Sequence, residues 1–328
     1  MFLNHQKAIE NGYISREEQL VYQQETSVRQ GDGRTCACHE LALPSRLSAT
    51  VLWDRCMDIS RLSFAGIPIS YLGKSGEQGD AATPFERRFS GGMLYTCGLM
   101  NVGPADEAQP AHGRIHLQSA TMRSVHLEEN ALILQGQMRE SALFGENLLL
   151  KRTLTFPLDA SEVRIEDAIS NQTPYPQPYM LLYHINLGYP MLSEHLKLRL
   201  PDGTQTSPAT EQARAHLSEL SGFSPPEASF EEQDFHHQLP IQNGYCAATA
   251  ENRFLGIGFG VRYRADTLPT LIQWRCLRSG DYVLGLEPSN NRVNGRAQAA
   301  REGALPVLNP FETITTEVVL SFFDLAAV

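Results

Sequence analysis

Imidazole and amide side chains stand out in two short segments of the sequence. Residues 110–114 carry His112, and the glycine that follows it lets the backbone approach a ligand closely. Residues 182–188 carry His184 and Asn186, which lie two positions apart and therefore on one face of a strand, with apolar neighbours on the other face. Both segments are therefore candidates for a binding or catalytic site.

A third segment, residues 282–288, has the pattern of a buried strand that ends in a carboxylate. Glu287 is flanked by Leu286 and Pro288, and partial desolvation there should raise its pKa toward neutrality. A histidine has a reference pKa of about 6.5 and can donate or accept a proton near neutral pH. One carboxylate and one or two imidazoles suffice for general acid–base catalysis, in which each group contributes about 10²–10⁴-fold. A lone histidine on a strand is more often structural, so this interpretation requires the three segments to meet in space.

Short strands separated by turns dominate the chain from about residue 46. Val163, Ile165 and Ile169 alternate with polar neighbours, which is the two-residue period of a half-buried strand. Similar stretches occur at residues 125–140, 148–156, 255–263, 271–274, 282–286 and 313–323. Many short strands with frequent turns predict an all-β sandwich or barrel rather than a parallel α/β sheet.

The pattern also suggests how the chain is divided. Residues 1–45 are mixed and polar, and we expect them to pack on the main domain. Residues 46–328 then form a single domain, because all-β chains often exceed 200 residues as one unit. The polar stretch near 201–240, with a helix expected from Thr210 to Leu220, is interpreted as an excursion or lid off the sheet.

Charge and composition restrict the possible partners. The 328 residues include 27 Lys+Arg against 37 Asp+Glu, a formal net charge of −10. Nucleic-acid grooves and anionic membrane surfaces require clustered cations, so neither partner is expected. No apolar stretch approaches the roughly 18 residues of a spanning helix. We expect a small-molecule ligand, with a homodimer as a possible assembly.

Cysteine usage favours a reducing compartment. The six cysteines are scattered, which is typical of reduced, separately buried thiols in a cytoplasmic protein. Cys36, Cys38 and His39 lack the spacing and the downstream pair of a zinc site, so no metal is predicted. The first residues show no basic stretch followed by an apolar run, so no signal peptide is expected.

The three candidate segments, in this order, resemble the galactose mutarotase (aldose 1-epimerase) family, which pairs an early His-Gly, a strand with His and Asn-Leu, and a late strand ending in Glu-Pro. More narrowly, the chain is similar to a poorly characterised aldose 1-epimerase-like branch. The similarity covers roughly residues 45–323 and includes the segments 53–59, 89–99 and 284–288. It implies one large antiparallel β-sandwich with a few short helices.

The resemblance also implies an activity. Members interconvert the α and β anomers of a free aldose without a cofactor. It assigns Glu287 as the base and His184 as the acid, with His112 holding the ring oxygen or sharing the proton. Sugar contacts would come from Arg87 (or its neighbour Arg88), Asn186, Trp274, Arg55 and Asp58. An internal ion pair is equally compatible with Arg55 and Asp58.

The chain departs from the better-known mutarotases at one position. They usually place a sugar-binding Asp between the second His and the catalytic Glu. Asp234 is a candidate by position only, because its surroundings do not match the family pattern. The departure affects the identity of the substrate more than the type of reaction.

Three alternatives remain open. An epimerase for a phosphorylated hexose would need a cationic pocket, which Arg87, Arg88 and Arg114 could form if they converge at the cleft mouth. A non-catalytic carbohydrate-binding sandwich would need no matched acid and base. A glycoside hydrolase or lyase accessory domain would normally need two opposed carboxylates, and only Glu287 stands out.

Overall fold

The structure is a computed structural model that describes residues 5–30 and 33–326. Strands predominate in it. In chain order they are β1 (Tyr22–Arg29), β2 (Thr35–Ala42), β3 (Leu47–Leu52), β4 (Asp58–Phe64), β5 (Ile67–Pro68), β6 (Tyr95–Leu99), β7 (Thr121–Leu127), β8 (Ala131–Ser141), β9 (Asn147–Pro157), β10 (Glu162–Asn171), β11 (Gln177–Pro178), β12 (Met180–Leu187), β13 (Leu196–Arg199), β14 (Gln205–Pro208), β15 (Gln233–Gln238), β16 (Tyr245–Asn252), β17 (Ile257–Arg264), β18 (Thr270–Arg278), β19 (Asp281–Ser289), β20 (Val307–Leu308) and β21 (Thr313–Asp324).

Helices are few and short. The α-helices are α1 (His5–Glu10), α2 (Phe85–Arg88), α3 (Glu211–Ala215) and α4 (Arg296–Arg301), and 3-10 turns occupy Glu17–Gln19, Ile115–Leu117 and Leu217–Glu219. The Thr210 side chain accepts a hydrogen bond from the amide of Ala213, which is the N-cap expected at that position. The helix expected over residues 210–220 is therefore present, broken into α3 and a 3-10 turn.

The strands pair antiparallel in three main sheets. β1 to β5 form a five-stranded sheet in chain order. An eight-stranded sheet has the order β13-β16-β17-β21-β10-β9-β8-β7, and a six-stranded sheet has the order β14-β15-β18-β19-β12-β6. A two-stranded ribbon joins β11 and β20. This architecture confirms the predicted all-β antiparallel sandwich.

The main core lies between the eight-stranded and six-stranded sheets. β9 and β10 contribute residues at alternate positions, as their sequence periods predict. From β12, Leu181, Tyr183, Ile185 and Leu187 join the same apolar cluster. The alternate residues of β12 point to the other face of the six-stranded sheet, and His184 and Asn186 belong to that face.

Two of the expected boundaries can be compared with the sheets. β2 precedes residue 45 and pairs with β3, which follows it, so the five-stranded sheet crosses the predicted boundary. Residues 201–240 supply β14 and β15, and β15 pairs with β18 in the six-stranded sheet. The two ends of this stretch are therefore part of the sheet, while residues 209–232 between them lie outside it. None of the helices is long and apolar enough to cross a membrane, a finding that covers the described residues.

Candidate active site

Antiparallel pairing brings His184 and Glu287 together. β12 pairs with β19, and the Ile185–Leu286 pair sets Glu287 beside His184 on the face turned away from the main core. The His184 Nε2 and Glu287 Oε1 atoms lie 3.2 Å apart, and both side chains are buried. Glu287 Oε1 and His184 Nδ1 have no hydrogen-bond partner in the described structure. The two groups are thus close enough to share a proton while remaining available to a ligand.

His112 reaches this pair from a loop that follows β6. Its φ of 57° places it in the left-handed region, and Gly113 follows at 72°. A Cβ at Gly113 would lie 2.1 Å from the carbonyl oxygen of Gly98, so only glycine fits there. The His112 ring stacks on Phe85 with a centroid distance of 4.5 Å. Arg88 donates to the carbonyl oxygens of Ala111 and Gly113, which holds the loop in place.

A cavity of about 620 Å³ opens in front of these groups. His112, His184 and Glu287 line it, which confirms that the three segments meet. Trp274 lines the same cavity, and its ring meets the His184 ring edge-on at 5.3 Å. Phe85 and Phe89 complete an apolar wall that sequence analysis did not identify, because no periodic pattern marks a four-residue helix. Apolar walls with a few converging polar groups are typical of small-molecule sites.

Burial changes the proton affinity of each ionisable group in the cavity. Burial lowers the pKa of His184 to about 3, with a further contribution from His112, and lowers that of His112 to about 4. Burial raises the pKa of Glu287 well above its usual value, and the charges of Asp234 and Glu232 add to this effect. Burial therefore favours the neutral form of both imidazoles and the protonated form of the Glu287 carboxyl group.

Asp234 lines the cavity as well. It lies on β15, where it pairs with Trp274 of β18, and Trp274 in turn pairs with Gly285 of β19. Burial, followed by the nearby Glu232, raises the pKa of Asp234 to about 7. In the sequence, Asp234 is a candidate by position alone, because the pairing of β15 within the sheet leaves no local signal.

The predicted arginines do not converge at the cavity. Arg87 is exposed on α2 and is not among the cavity-lining residues. Arg88 is buried behind the loop of His112, where it also donates to the Tyr95 hydroxyl. Arg114 is paired with Glu140 and Glu146. A four-residue helix turns Phe85 and Arg88 inward and Arg87 outward, so the sugar contact predicted for Arg87 is not among the cavity-lining groups.

Three other predicted sugar contacts have partners inside the protein. Asn186 is fully buried and donates to the carbonyl oxygens of Gly92 and His184. Arg55 donates to the carbonyl oxygen of Glu77 at 2.9 Å. These two side chains hold backbone rather than line the cavity.

Asp58 also lies outside the cavity, in the interior. Its carboxylate accepts hydrogen bonds from the amide and hydroxyl of Thr96 and from Arg152 at 2.9 Å. It also lies 2.8 Å from His116 Nδ1. Only 1% of Asp58 is exposed, so a sugar cannot reach it. The internal ion pair, which the sequence left open for this residue, is the arrangement observed.

No metal site is apparent in the part of the chain that the structure describes. Cys36 and Cys38 form a small apolar cluster with Leu52, while His39 packs against Trp53. No group of three or more His, Cys, Asp and Glu side chains among the described residues could hold a metal ion.

A family model described as domain of unknown function (DUF4432) matches residues 33–322. The chain belongs to this family. No curated protein matches the chain by sequence.

Solved structures share the fold of this DUF4432 member. A candidate aldose 1-epimerase from Klebsiella pneumoniae superposes with a TM-score of 0.83 at 18% identity, over 93% of this chain and 88% of that one. A galactose mutarotase-like protein from Clostridium acetobutylicum gives a TM-score of 0.65 at 13% identity, over 94% and 100% of the chains. Galactose 1-epimerase from Lactobacillus acidophilus gives 0.62 at 14% identity, over 93% and 99%. The DUF4432 chain therefore has the mutarotase-like fold that its sequence predicts.

Proposed function

We propose that this chain is an aldose 1-epimerase that interconverts the α and β anomers of a free sugar. The observation that carries the proposal is the 3.2 Å approach of Glu287 Oε1 to His184 Nε2 inside a ligand-sized cavity. The fold shared with aldose 1-epimerase and mutarotase-like proteins supports the same function. Fold alone does not determine activity, so the proposal depends on the pair.

The pair would carry out ring opening in both directions. The carboxyl proton of Glu287 first passes to His184 Nε2 across the 3.2 Å between them, which leaves a carboxylate beside an imidazolium. Glu287 then accepts the proton of the anomeric hydroxyl, while the imidazolium of His184 donates its Nε2 proton to the ring oxygen. The bond between the anomeric carbon and the ring oxygen breaks, and the aldehyde rotates. Closure on the other face then returns both protons. The pair holds one transferable proton before and after the reaction, which agrees with two buried groups whose pKa values shift in opposite directions.

The other groups would position the sugar. His112 lies where it can hold the ring oxygen or share the proton, and Trp274 offers a flat apolar surface to the C–H face of the ring. Asp234 can accept hydrogen bonds from hydroxyl groups. The phosphorylated-hexose alternative loses its support, because none of Arg87, Arg88 and Arg114 lines the cavity.

Anomer exchange tests this proposal directly. NMR saturation transfer would be measured for galactose, glucose, fucose, lyxose and rhamnose. We expect faster exchange for at least one sugar, and a loss of about 10³-fold or more in Glu287→Gln, which removes the base at nearly constant volume. Glu166→Gln, an exposed position outside the cavity, is the matched control. Sugar binding without accelerated exchange would instead indicate a carbohydrate-binding module.

A further inference from the structure

The cavity that contains Glu287 is rich in carboxylates. Five line it, and the two cationic side chains beside them are Lys74 and Arg278. The five carboxylates are those of Glu86, Glu232, Asp234, Asp281 and Glu287. Since burial keeps His112 and His184 neutral, the histidines add no positive charge.

The two cations leave most of this negative charge uncompensated. Lys74 Nζ lies 2.7 Å from Asp281 Oδ2, so it is already paired. Arg278 is exposed and donates its Nε proton to the carbonyl oxygen of Phe230. Neither cation forms a salt bridge with Glu232, Asp234 or Glu287 in the described structure.

The three remaining carboxylates have few donors of any kind. Glu232 accepts one hydrogen bond, from the neutral indole N–H of Trp274 at 3.0 Å. The Asp234 side chain receives no hydrogen bond from any described residue, although it is only partly exposed. Glu287 is 2% exposed and its Oε1 atom has no hydrogen-bond partner among the described residues. A buried polar atom without a partner is unusual and calls for an explanation.

These carboxylates repel one another, although only Glu287 is fully buried, while Asp234 is partly exposed and Glu232 is exposed. Glu232 and Asp234 each contribute to the raised pKa of Glu287, and Glu232 contributes to that of Asp234. Hydroxyl groups of a neutral sugar could donate hydrogen bonds to the three groups, but they carry no charge to offset the repulsion. An ammonium group would do both, because its attraction to a carboxylate is strengthened where water is excluded.

We propose that the preferred substrate is an aldose that carries a protonated amino group, with the ammonium bound between Asp234 and Glu232. This inference rests on the proposed function. The cation would also favour the ionised form of Glu287, which is the form that accepts the anomeric proton. Substrate binding would then activate the base whose protonated form burial favours in the empty cavity.

The test compares sugars of one shape and different charge. Anomer exchange would be measured for glucosamine, galactosamine and mannosamine, each against its parent hexose and its N-acetyl derivative, which lacks the charge. We expect kcat/KM for one amino sugar to exceed that of its parent by about tenfold or more, and no such gain for the N-acetyl form. Asp234→Asn should reduce this ratio toward one. Asp202→Asn, which removes the same charge from an exposed turn outside the cavity, should leave the ratio unchanged.

Calorimetric binding of the same sugars separates the two proposals. If parent hexoses turn over as fast as amino sugars, or if Asp234→Asn leaves the ratio intact, the preference for a cation is wrong and the epimerase function stands. If amino sugars bind at least tenfold more tightly than their parents but none is turned over, the epimerase function is wrong and the cation site stands. Equal binding without turnover would overturn both.

Discussion

The chain buries two clusters of ionisable side chains, and they differ in how completely their polar atoms are paired. In the first, here called the Arg152 cluster, Arg152 donates to both oxygens of Asp167 at 2.9 and 2.7 Å and to Asp58 at 2.9 Å. Tyr183 donates to Asp167 at 2.7 Å. These residues come from β4, β9, β10 and β12, so the cluster ties the five-, eight- and six-stranded sheets together.

The second, here called the Glu287 cluster, consists of Glu287, His184, His112 and Asp234. It lies on the opposite face of the six-stranded sheet and leaves Glu287 Oε1, His184 Nδ1 and His112 Nδ1 without partners. A buried network whose members are all paired holds a fold together, whereas unpaired buried atoms around a cavity cost stability and are retained for a ligand. The comparison therefore separates a structural cluster from a functional one by hydrogen bonding, since Glu287 and His184 are buried almost as completely as the Arg152 cluster.

The largest effect should follow from Arg152→Ala. The change leaves Asp58 and Asp167 buried without their cation, and breaking a buried ion pair in this way costs about 3–5 kcal/mol. Urea unfolding would measure the loss. Glu287→Gln is the counterpart in the other cluster, and its free energy of unfolding should stay within about 1 kcal/mol of the wild type. Comparable losses in the two variants would remove the distinction between the clusters.

A smaller effect is expected at Gly285, which lies two residues before Glu287 on the same face of β19. A Cβ there would lie 2.4 Å from Glu287 Oε1 and 3.2 Å from the Cβ of Trp274. Gly285→Ala should therefore displace the carboxylate, and a misplacement of about 1 Å can cost about 10²-fold in rate. Anomer exchange would measure kcat, and its pH profile should shift because the carboxylate changes its surroundings.

A matched glycine controls for the added methyl group. At Gly260, on the eight-stranded sheet, a Cβ would lie 2.6 Å from Ser321 Oγ. As at Gly285, the nearest atom is the polar end of a side chain. Gly260→Ala should leave kcat unchanged. In a Glu287→Asp background, where the shorter side chain leaves room, the penalty of Gly285→Ala should shrink. A penalty that persists at full size would show that Gly285 does not act through Glu287.

Much of the Glu287 cluster could be predicted from sequence because its residues lie on strongly patterned strands. The sequence of β12 indicates side chains that alternate between two faces, and the sequence of β19 indicates a buried strand. Both strands form as indicated, and His184 and Glu287 therefore lie on one face. The patterns of residues 148–156 and 163–169 likewise predicted β9 and β10. Local periodicity was sufficient where the strands themselves are strongly patterned.

The rest depends on contacts that local patterns do not carry. Asp58 was predicted to bind sugar, but its partners Thr96, His116 and Arg152 are 38, 58 and 94 residues away. Asp234 was placed only by position, because its surroundings do not match the family pattern, and its place at the cavity follows from the pairing of β15 with β18. The sequence gives the charge of Asp58 and Asp234, but the role of each carboxylate depends on which strands it contacts in the fold.

The smallest effect expected is a pH-dependent gain of stability in Asp234→Asn. The folded protein raises the pKa of Asp234 to about 7, so between about pH 4 and 7 the folded state binds more protons than the unfolded state. The wild type therefore loses stability as pH rises through this window, while the amide variant does not. Allowing for the partial exposure of the side chain, the variant should be more stable by about 1–2 kcal/mol at pH 7.5 and about equal at pH 4.

Urea unfolding of both proteins from pH 4 to 7.5 would measure this difference. His112 and His184 act in the opposite direction, because their lowered pKa values make the folded state lose stability as pH falls below about 6.5. That contribution is common to both proteins and cancels in the difference. Asp202→Asn should stay within about 0.5 kcal/mol of the wild type throughout. If the difference in free energy of unfolding between Asp234→Asn and the wild type does not change with pH, the repulsion in the Glu287 cluster is relieved within the protein. The contrast with the Arg152 cluster would then rest on the unpaired histidine and glutamate atoms alone.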